Sequence, residues 1–356
     1  MPAPALERLR QLLDACAPGT ALTPTLGLAA AAQARELAAE LGRREDEMLA
    51  ALRECGHLFR LGQLAEAVDL CQALRRAAAA AGLGAPLQAE QREMLRVLVL
   101  AACELARFDI AMEAAQELAR LCAPLAEPGP RLMAAYALAA CLERMGDSWQ
   151  AMDVLEGALA ADPPVPSRER LIANSGLAAV AIGMFHRLRG IEDGSAVLAR
   201  ARAAAEQAQA QLGAAEPAAR ITVIGNLGEI LLHQGELAAS RRLLDESLAL
   251  AQQAELRAYE WRITATLADW HLAAAETAQA LHQAEGLLAE MGSAAPLQTA
   301  IRAHDTACRA CRQLGHDRRA LTHLEAFERL ERRRTVQQLR AQSQLAAARA
   351  QMPRAG

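Results

Sequence analysis

Apolar positions along this chain gather into helical stretches that come in pairs. Within a pair, a glycine or other small residue interrupts the first stretch, and a few residues later an Ala or Ser opens the second. The clearest copies are CLERMGDSWQAMDVLEGALAADP at 141–163, NLGEILLHQGELAASRRLLDESLAL at 226–250 and CRACRQLGHDRRALTHLEAFERL at 308–330. Weaker copies lie at 55–74, 104–118 and 267–288. The opening small residues align as Ala67, Ala111, Ala151, Ala196, Ser240, Ala280 and Ala320, in steps of 44, 40, 45, 44, 40 and 40 residues. The copy at Ala196 spells its turn differently, from Gly190 to Gly194. So regular a period marks stacked units, none of which can bury its apolar stripe alone.

The ends of the chain depart from the period. Residues 4–17 and 24–42 read as a helix pair without the signature, an N-terminal cap, with Thr23 as N-cap and Pro24 at the first helical position. The run Asp162-Pro163-Pro164-Val165-Pro166-Ser167 ends one unit, and Ser167 caps the next helix. Gly82-Leu83-Gly84 lies between helices with no strand before it and reads as a loop. From Asp317 to about Gln351 there is neither Pro nor Gly. One helix of about 35 residues, about 50 Å long, is expected there.

Each unit resembles a tetratricopeptide repeat. The third supplies Ala139, Leu142, Gly146, Ala151, Leu155, Ala158 and Pro163 at the family's marked positions, and the fifth supplies Gly228, Leu231, Gly235, Ser240, Leu244 and Ser247. Leucines stand where the family has aromatics, and the period is 40–45 residues where the family's is about 34. The resemblance implies an all-α fold, a right-handed superhelix (α-solenoid) of about seven to eight helix pairs. The cap would occupy residues 1–44, the repeats 45–330 and a basic helical extension 331–356. The stretch LTHLEAFERLERRRTVQQLRAQSQLAAARA also looks like the helix that leaves such sensor regions to feed a diguanylate cyclase domain. No GG(D/E)EF follows it, which implies a stand-alone or detached input module.

Composition narrows the function more than the fold. Alanine is about a quarter of the 356 residues, and aromatics only 3%. Helix formers dominate and β-formers are scarce, which excludes a sandwich or barrel, while 53% hydrophobic content excludes disorder. Lys+Arg 38 against Asp+Glu 42 leaves −4, with every base an arginine, so no global field holds nucleic acid or an anionic membrane. The longest nearly apolar stretch, Gly176 to Phe185, is too short to span a bilayer. With no apolar signal core at the start, the eight cysteines read as free buried thiols, and the cytoplasm is expected.

Catalytic and metal motifs are missing: no P-loop, HExxH, GxSxG or GxGxxG. His304, Cys308 and Cys311 share a helical face, but they fall at packing positions and read as core; no cofactor or metal is expected. Arg332-Arg333-Arg334 lacks interleaved aromatics and reads as a solvated face. Function is therefore placed on the concave groove. The resemblance assigns to it Tyr136, Glu143 and Arg144; Asn226, Glu229 and His233; Arg262 and Asp269; and Arg302, Asp305, Arg309 and Arg312. Apolar Val97, Leu100, Ile182 and Phe185 occupy its middle. The expectation is a non-enzymatic scaffold that binds a protein or peptide, with the arginines taking an acidic or C-terminal carboxylate motif. The alternative is a sensory input module of cyclic-di-GMP-type signalling. Val336, Leu339, Ser343, Ala346 and Ala350 make a short seam, enough for a mainly monomeric chain with weak dimerisation through this helix.

Overall fold

The computed structural model describes residues 3–20, 22–81, 85–160, 167–213, 217–292 and 295–351. Among these residues there are sixteen helices and no strand, arranged as eight successive pairs. In the first half α1 (Ala3–Ala15) pairs with α2 (Pro24–Glu40), α3 (Arg44–Arg60) with α4 (Leu64–Ala81), α5 (Ala85–Glu104) with α6 (Phe108–Cys122), and α7 (Pro128–Arg144) with α8 (Ser148–Leu159). In the second half α9 (Ser167–Leu188) pairs with α10 (Ser195–Ala210), α11 (Pro217–His233) with α12 (Leu237–Gln253), α13 (Arg257–Ala273) with α14 (Thr277–Met291), and α15 (Leu297–Gln313) with α16 (Asp317–Gln351). From α3 onward each odd-numbered helix packs on the next odd-numbered one, whereas the even-numbered helices touch chiefly their sequence neighbours. The odd helices thus form the inner layer of an α-solenoid, and the even helices splay outside it.

One turn design makes the pairs. Gly62, Ala106, Gly146, Gly235, Ala275 and Gly315 each stand two residues before the second helix with φ between 55° and 93°. The amide after each of them donates to a carbonyl five residues back: Gln63 to Leu58, Asp147 to Leu142, His316 to Cys311, at 3.0, 2.9 and 2.8 Å. This is the Schellman closure of a helix, which needs a left-handed residue. The second helix then lays its fourth residue on the first. Ala67, Ala111, Ala151, Ser240 and Ala280 are wholly buried there, and Ser240 Oγ donates to the Gly228 carbonyl at 2.7 Å.

The fourth repeat differs from its expected register. Ala196 is exposed. Five positions instead of two separate Gly190 (φ 80°) from the helix start at Ser195, and the Asp193 carboxylate accepts the Ser195 N–H at 2.9 Å. The longer turn advances the contact to Leu198, which is buried. Thr23 is the N-cap of α2 with Pro24 at its first position, but its hydroxyl makes no capping bond. Ser167 is the first residue of α9 rather than its cap. Gly82–Gly84 and the run from Asp162 to Pro166 lie outside the described residues.

The eight cysteines are free and buried. The largest apolar cluster runs from α3 to α12 and takes in Leu297 and Ile301 of α15 and Ala341 of α16. The solenoid therefore curls until its last pair meets its early ones. Across the same closure, a Cβ on Gly62 would lie 3.6 Å from Trp261 of α13. The second half of α16 is accordingly no free basic arm. Gln338 Nε2 donates to the Arg144 carbonyl at 2.6 Å and Gln342 Nε2 to that of Met145 at 3.0 Å, docking the helix on the α7–α8 turn. Val336 and Leu339 stay exposed. The accessible surface is 17068 Å², above the ~13,900 Å² of a compact monomer of this mass, in keeping with an extended stack of helix pairs. Helix α9 is long and apolar enough to cross a bilayer by length and composition, beyond the stretch read from the sequence, yet 61% of its apolar window is buried between neighbouring helices.

Candidate functional site

The inner layer encloses a cavity of about 1090 Å³, walled by α3, α5, α7, α9, α11, α13 and α15 and crossed by α16. Ten of the residues expected in the groove line it: Tyr136, Glu143 and Arg144 from α7, Asn226 and Glu229 from α11, Arg262 and Asp269 from α13, and Arg302, Asp305 and Arg309 from α15. Two do not. His233, one turn beyond Glu229 on the same face of α11, is not among the lining residues and packs against Phe185, ring centroids 4.8 Å apart. Arg312, near the end of α15, is exposed and outside the cavity. Val97, Leu100 and Ile182 line the middle as expected, whereas Phe185 packs with His233.

The polar residues form two connected groups. In the first, Arg302 Nη1 donates to Glu229 at 2.6 Å and its Nε to Asp269 at 2.7 Å. Thr306 donates to the other oxygen of Asp269, and His186 Nε2 lies 2.9 Å from Glu229 Oε1. Burial would raise both carboxyls, but Arg302 and His186 outweigh it and hold Glu229 well below the usual range, while Arg302 and Thr306 lower Asp269. Burial drives His233 down to about 3, so its imidazole is neutral. Beside this group Asn226 donates to the Ser175 carbonyl at 3.0 Å and accepts from Arg262 Nη1 at 2.9 Å.

The second group joins α7 to α9. Glu143 accepts from Arg187 at 2.9 Å, and Arg144 bonds Glu104 of α5 at 2.7 Å. Arg334 of α16 reaches Glu331 at 2.6 Å and Gln298 at 2.9 Å. Tyr136 lies flush on α9: a Cβ on Gly176 would fall 2.6 Å from its ring, so only glycine lets the two helices approach. The arginines toward the C-terminus are thus mostly engaged with partners in the wall. Three guanidinium nitrogens, Arg262 Nη2, Arg302 Nη2 and Arg334 Nε, are nonetheless buried without a hydrogen-bond partner. Ten arginines and seven carboxylates line the cavity among the described residues, so its wall is net basic in a chain that is net acidic.

His186, Arg187, Ser175 and Arg334 escaped the groove register. A signal for three contacts was in the spacing. Arg144 and Glu104, Glu143 and Arg187, and His186 and Glu229 stand 40, 44 and 43 residues apart, one repeat period, and stacking brings such residues together. Cys308 and Cys311 join the core between α13 and α16, and His304 Nδ1 instead lies 3.0 Å from His323 Nδ1.

No protein-family model and no curated protein sequence matches the chain. Among solved structures it is similar to a Rap protein complexed with Competence and Sporulation Factor, at 14% identity and a TM-score of 0.58 over 94% of this chain and 99% of that one. The nearly identical tetratricopeptide-like repeats of a kinesin light chain from Podosopora anserina share 19% identity over 58% of this chain and 97% of that one, with a TM-score of 0.42. Pseudomonas aeruginosa pilF shares 18% over 72% and 99%, with a TM-score of 0.38. The likeness to the Rap structure spans nearly the whole chain, and the fold is that of a tetratricopeptide-like α-solenoid.

Proposed function

We propose that this chain is a non-catalytic scaffold whose central cavity holds an extended peptide segment through an acidic side chain or a terminal carboxylate. The observation that carries this reading is the pair of buried, unpartnered nitrogens Arg262 Nη2 and Arg302 Nη2 in the cavity wall. Each guanidinium is already oriented by its other nitrogens, and a carboxylate entering the wall beside it would supply the acceptor it lacks. The volume, just above the roughly 300–1,000 Å³ of small-molecule pockets, suits a short peptide, and the apolar middle supplies contacts for its side chains. The similar Rap protein was solved with a bound factor, which agrees with a solenoid of this winding acting as a receptor.

The test compares short peptides carrying a free or an amidated C-terminus, and with acidic or neutral side chains. Binding should weaken at least tenfold on removing the carboxylate that is recognised, and Arg262→Gln should reproduce that loss while the melting temperature changes little. Peptides that bind equally well with and without carboxylates would refute the reading. A second reading, a regulatory input module acting on an output domain through α16, draws on the exposed Val336 and Leu339 of that helix. It requires dimerisation that Val336→Glu abolishes; a protein monomeric at every concentration in sedimentation would reject it.

A further inference from the structure

We propose that His186, Glu229 and His233 form a site for a zinc-class divalent cation, with its fourth side open to the central cavity. Glu229 and His233 are four residues apart on α11 and so share one face, and His186 is brought beside them by the stacking of α9. The three ligand atoms lie within 4.8 Å of one another, with His186 Nε2 2.9 Å and His233 Nε2 4.0 Å from Glu229 Oε1. A tetrahedral metal with bonds of about 2.0–2.1 Å holds its ligand atoms roughly 3.3–3.5 Å apart, a spacing these separations bracket.

A second observation points to a ligand independently. His233 Nε2 is buried with no hydrogen-bond partner, on a side chain only 9% exposed, and it is aimed at Glu229 from beyond hydrogen-bond reach. A cation between the two would satisfy both. The rings are already held in place, since His186 and His233 meet edge to face at 4.9 Å and Phe185 covers His233.

Charge agrees. Glu229 and Asp269 place two carboxylates around the one guanidinium of Arg302, so the cation would sit beside two anions. Arg302 and the metal would share the Glu229 carboxylate, and Asp269, held by Arg302 and Thr306, would balance the added charge from behind. Two imidazoles and one carboxylate favour zinc, cobalt or nickel over magnesium or calcium, which prefer all-oxygen sites. Because His186 and Glu229 line the cavity, the open position faces the space assigned above to a peptide, but the metal site does not rest on that reading.

The experiment uses the full chain stripped by a chelator, then dialysed against zinc or cobalt with no peptide present. One cation per chain should be retained at about micromolar affinity or tighter, and cobalt should show the visible bands of a four-coordinate site. His233→Asn should weaken binding at least tenfold, while His304→Asn with His323→Asn, at the other histidine contact, should leave it unchanged. If His233→Asn fails to fold by circular dichroism, X-ray absorption on the zinc-loaded wild type decides, with two imidazoles and no sulfur expected. No retained cation, sulfur ligation, indifference to His233→Asn, or loss with the His304/His323 variant would each overturn the proposal.

Discussion

Ala275 and Ala106 carry the left-handed turn conformation that Gly62, Gly146, Gly235 and Gly315 adopt at the same position in other repeats. An alanine there costs about 1–2 kcal/mol, and glycine returns part of that gain through a freer unfolded chain. Ala275 is exposed and packs on little, so Ala275→Gly should raise the unfolding free energy by about 0.5–1 kcal/mol in urea titration. The arginines separate by partner in the same way. Arg302→Gln leaves Glu229 and Asp269 buried together and should cost about 3–5 kcal/mol. Arg309→Gln, losing a loose 3.6 Å contact to Asp305, should cost no more than about 0.5 kcal/mol. Protonation belongs to this scale too. His233 titrates near 6.5 when unfolded and at about 3 when folded, and burial with the neighbouring His323 puts His304 at about 4. Between those values the unfolded chain binds protons that the folded chain does not. Stability is therefore complete above pH ~6.5 and declines as the pH falls toward 4, with Glu229 and Asp269 adding to the loss below the ordinary carboxylate range. Urea midpoints of the metal-free protein from pH 7 to 5 should fall, and His233→Asn with His304→Asn should flatten the slope.

At the scale of elements, α16 is one helix with two environments. Its first half completes the last repeat, while its second half lies on the α7–α8 turn through Gln338, Ala341 and Gln342. Each glutamine satisfies a carbonyl at the C-terminal end of α7 that the helix itself leaves open. Gln338→Ala with Gln342→Ala should therefore cost about 1–3 kcal/mol. Amide exchange should speed up at Met145–Asp147 and along the end of α16, and not at the α11–α12 turn. Unchanged exchange at both places would mean that the helix leaves this turn in solution. Burial also puts Arg334 below its ordinary range, with Glu331 opposing and Arg187 adding to the shift, which marks how closely this helix approaches the basic wall it crosses.

For the whole molecule, the geometry is a solenoid wound far enough to meet itself around an inner space. A compact chain of 356 residues has a radius of gyration of about 20.5 Å. Solution scattering should give a larger value, in keeping with the excess surface, together with a far-ultraviolet spectrum of helix alone. A radius at or below the compact value would mean the cavity collapses in solution. Since repeats are stabilised by their neighbours, removing a whole unit is ordinarily tolerated. Here the α7–α8 pair is an exception to be expected, because its turn also receives α16. Its deletion should lower the melting temperature more than deletion of α11–α12.

What the sequence determined by itself was everything that repeats locally. Ala67, Ala111, Ala151, Ser240 and Ala280, with the turn glycines, set helix pairs, period and inner layer, because side-chain size and left-handed φ act within a few residues of where they are written. The residues on inner-helix positions followed, and ten of them do line one cavity. The register of α10 escaped because a turn of different length moves every later contact without changing the composition around it. Only the tertiary structure decided that the arginines are mostly paired, that His233 packs against Phe185 outside the cavity lining, and that α16 crosses back to α7. Those contacts join Arg302 to Glu229 and Gln338 to Arg144 across 73 and 194 residues. They depend on the accumulated rotation of the whole stack, a quantity that no single repeat specifies.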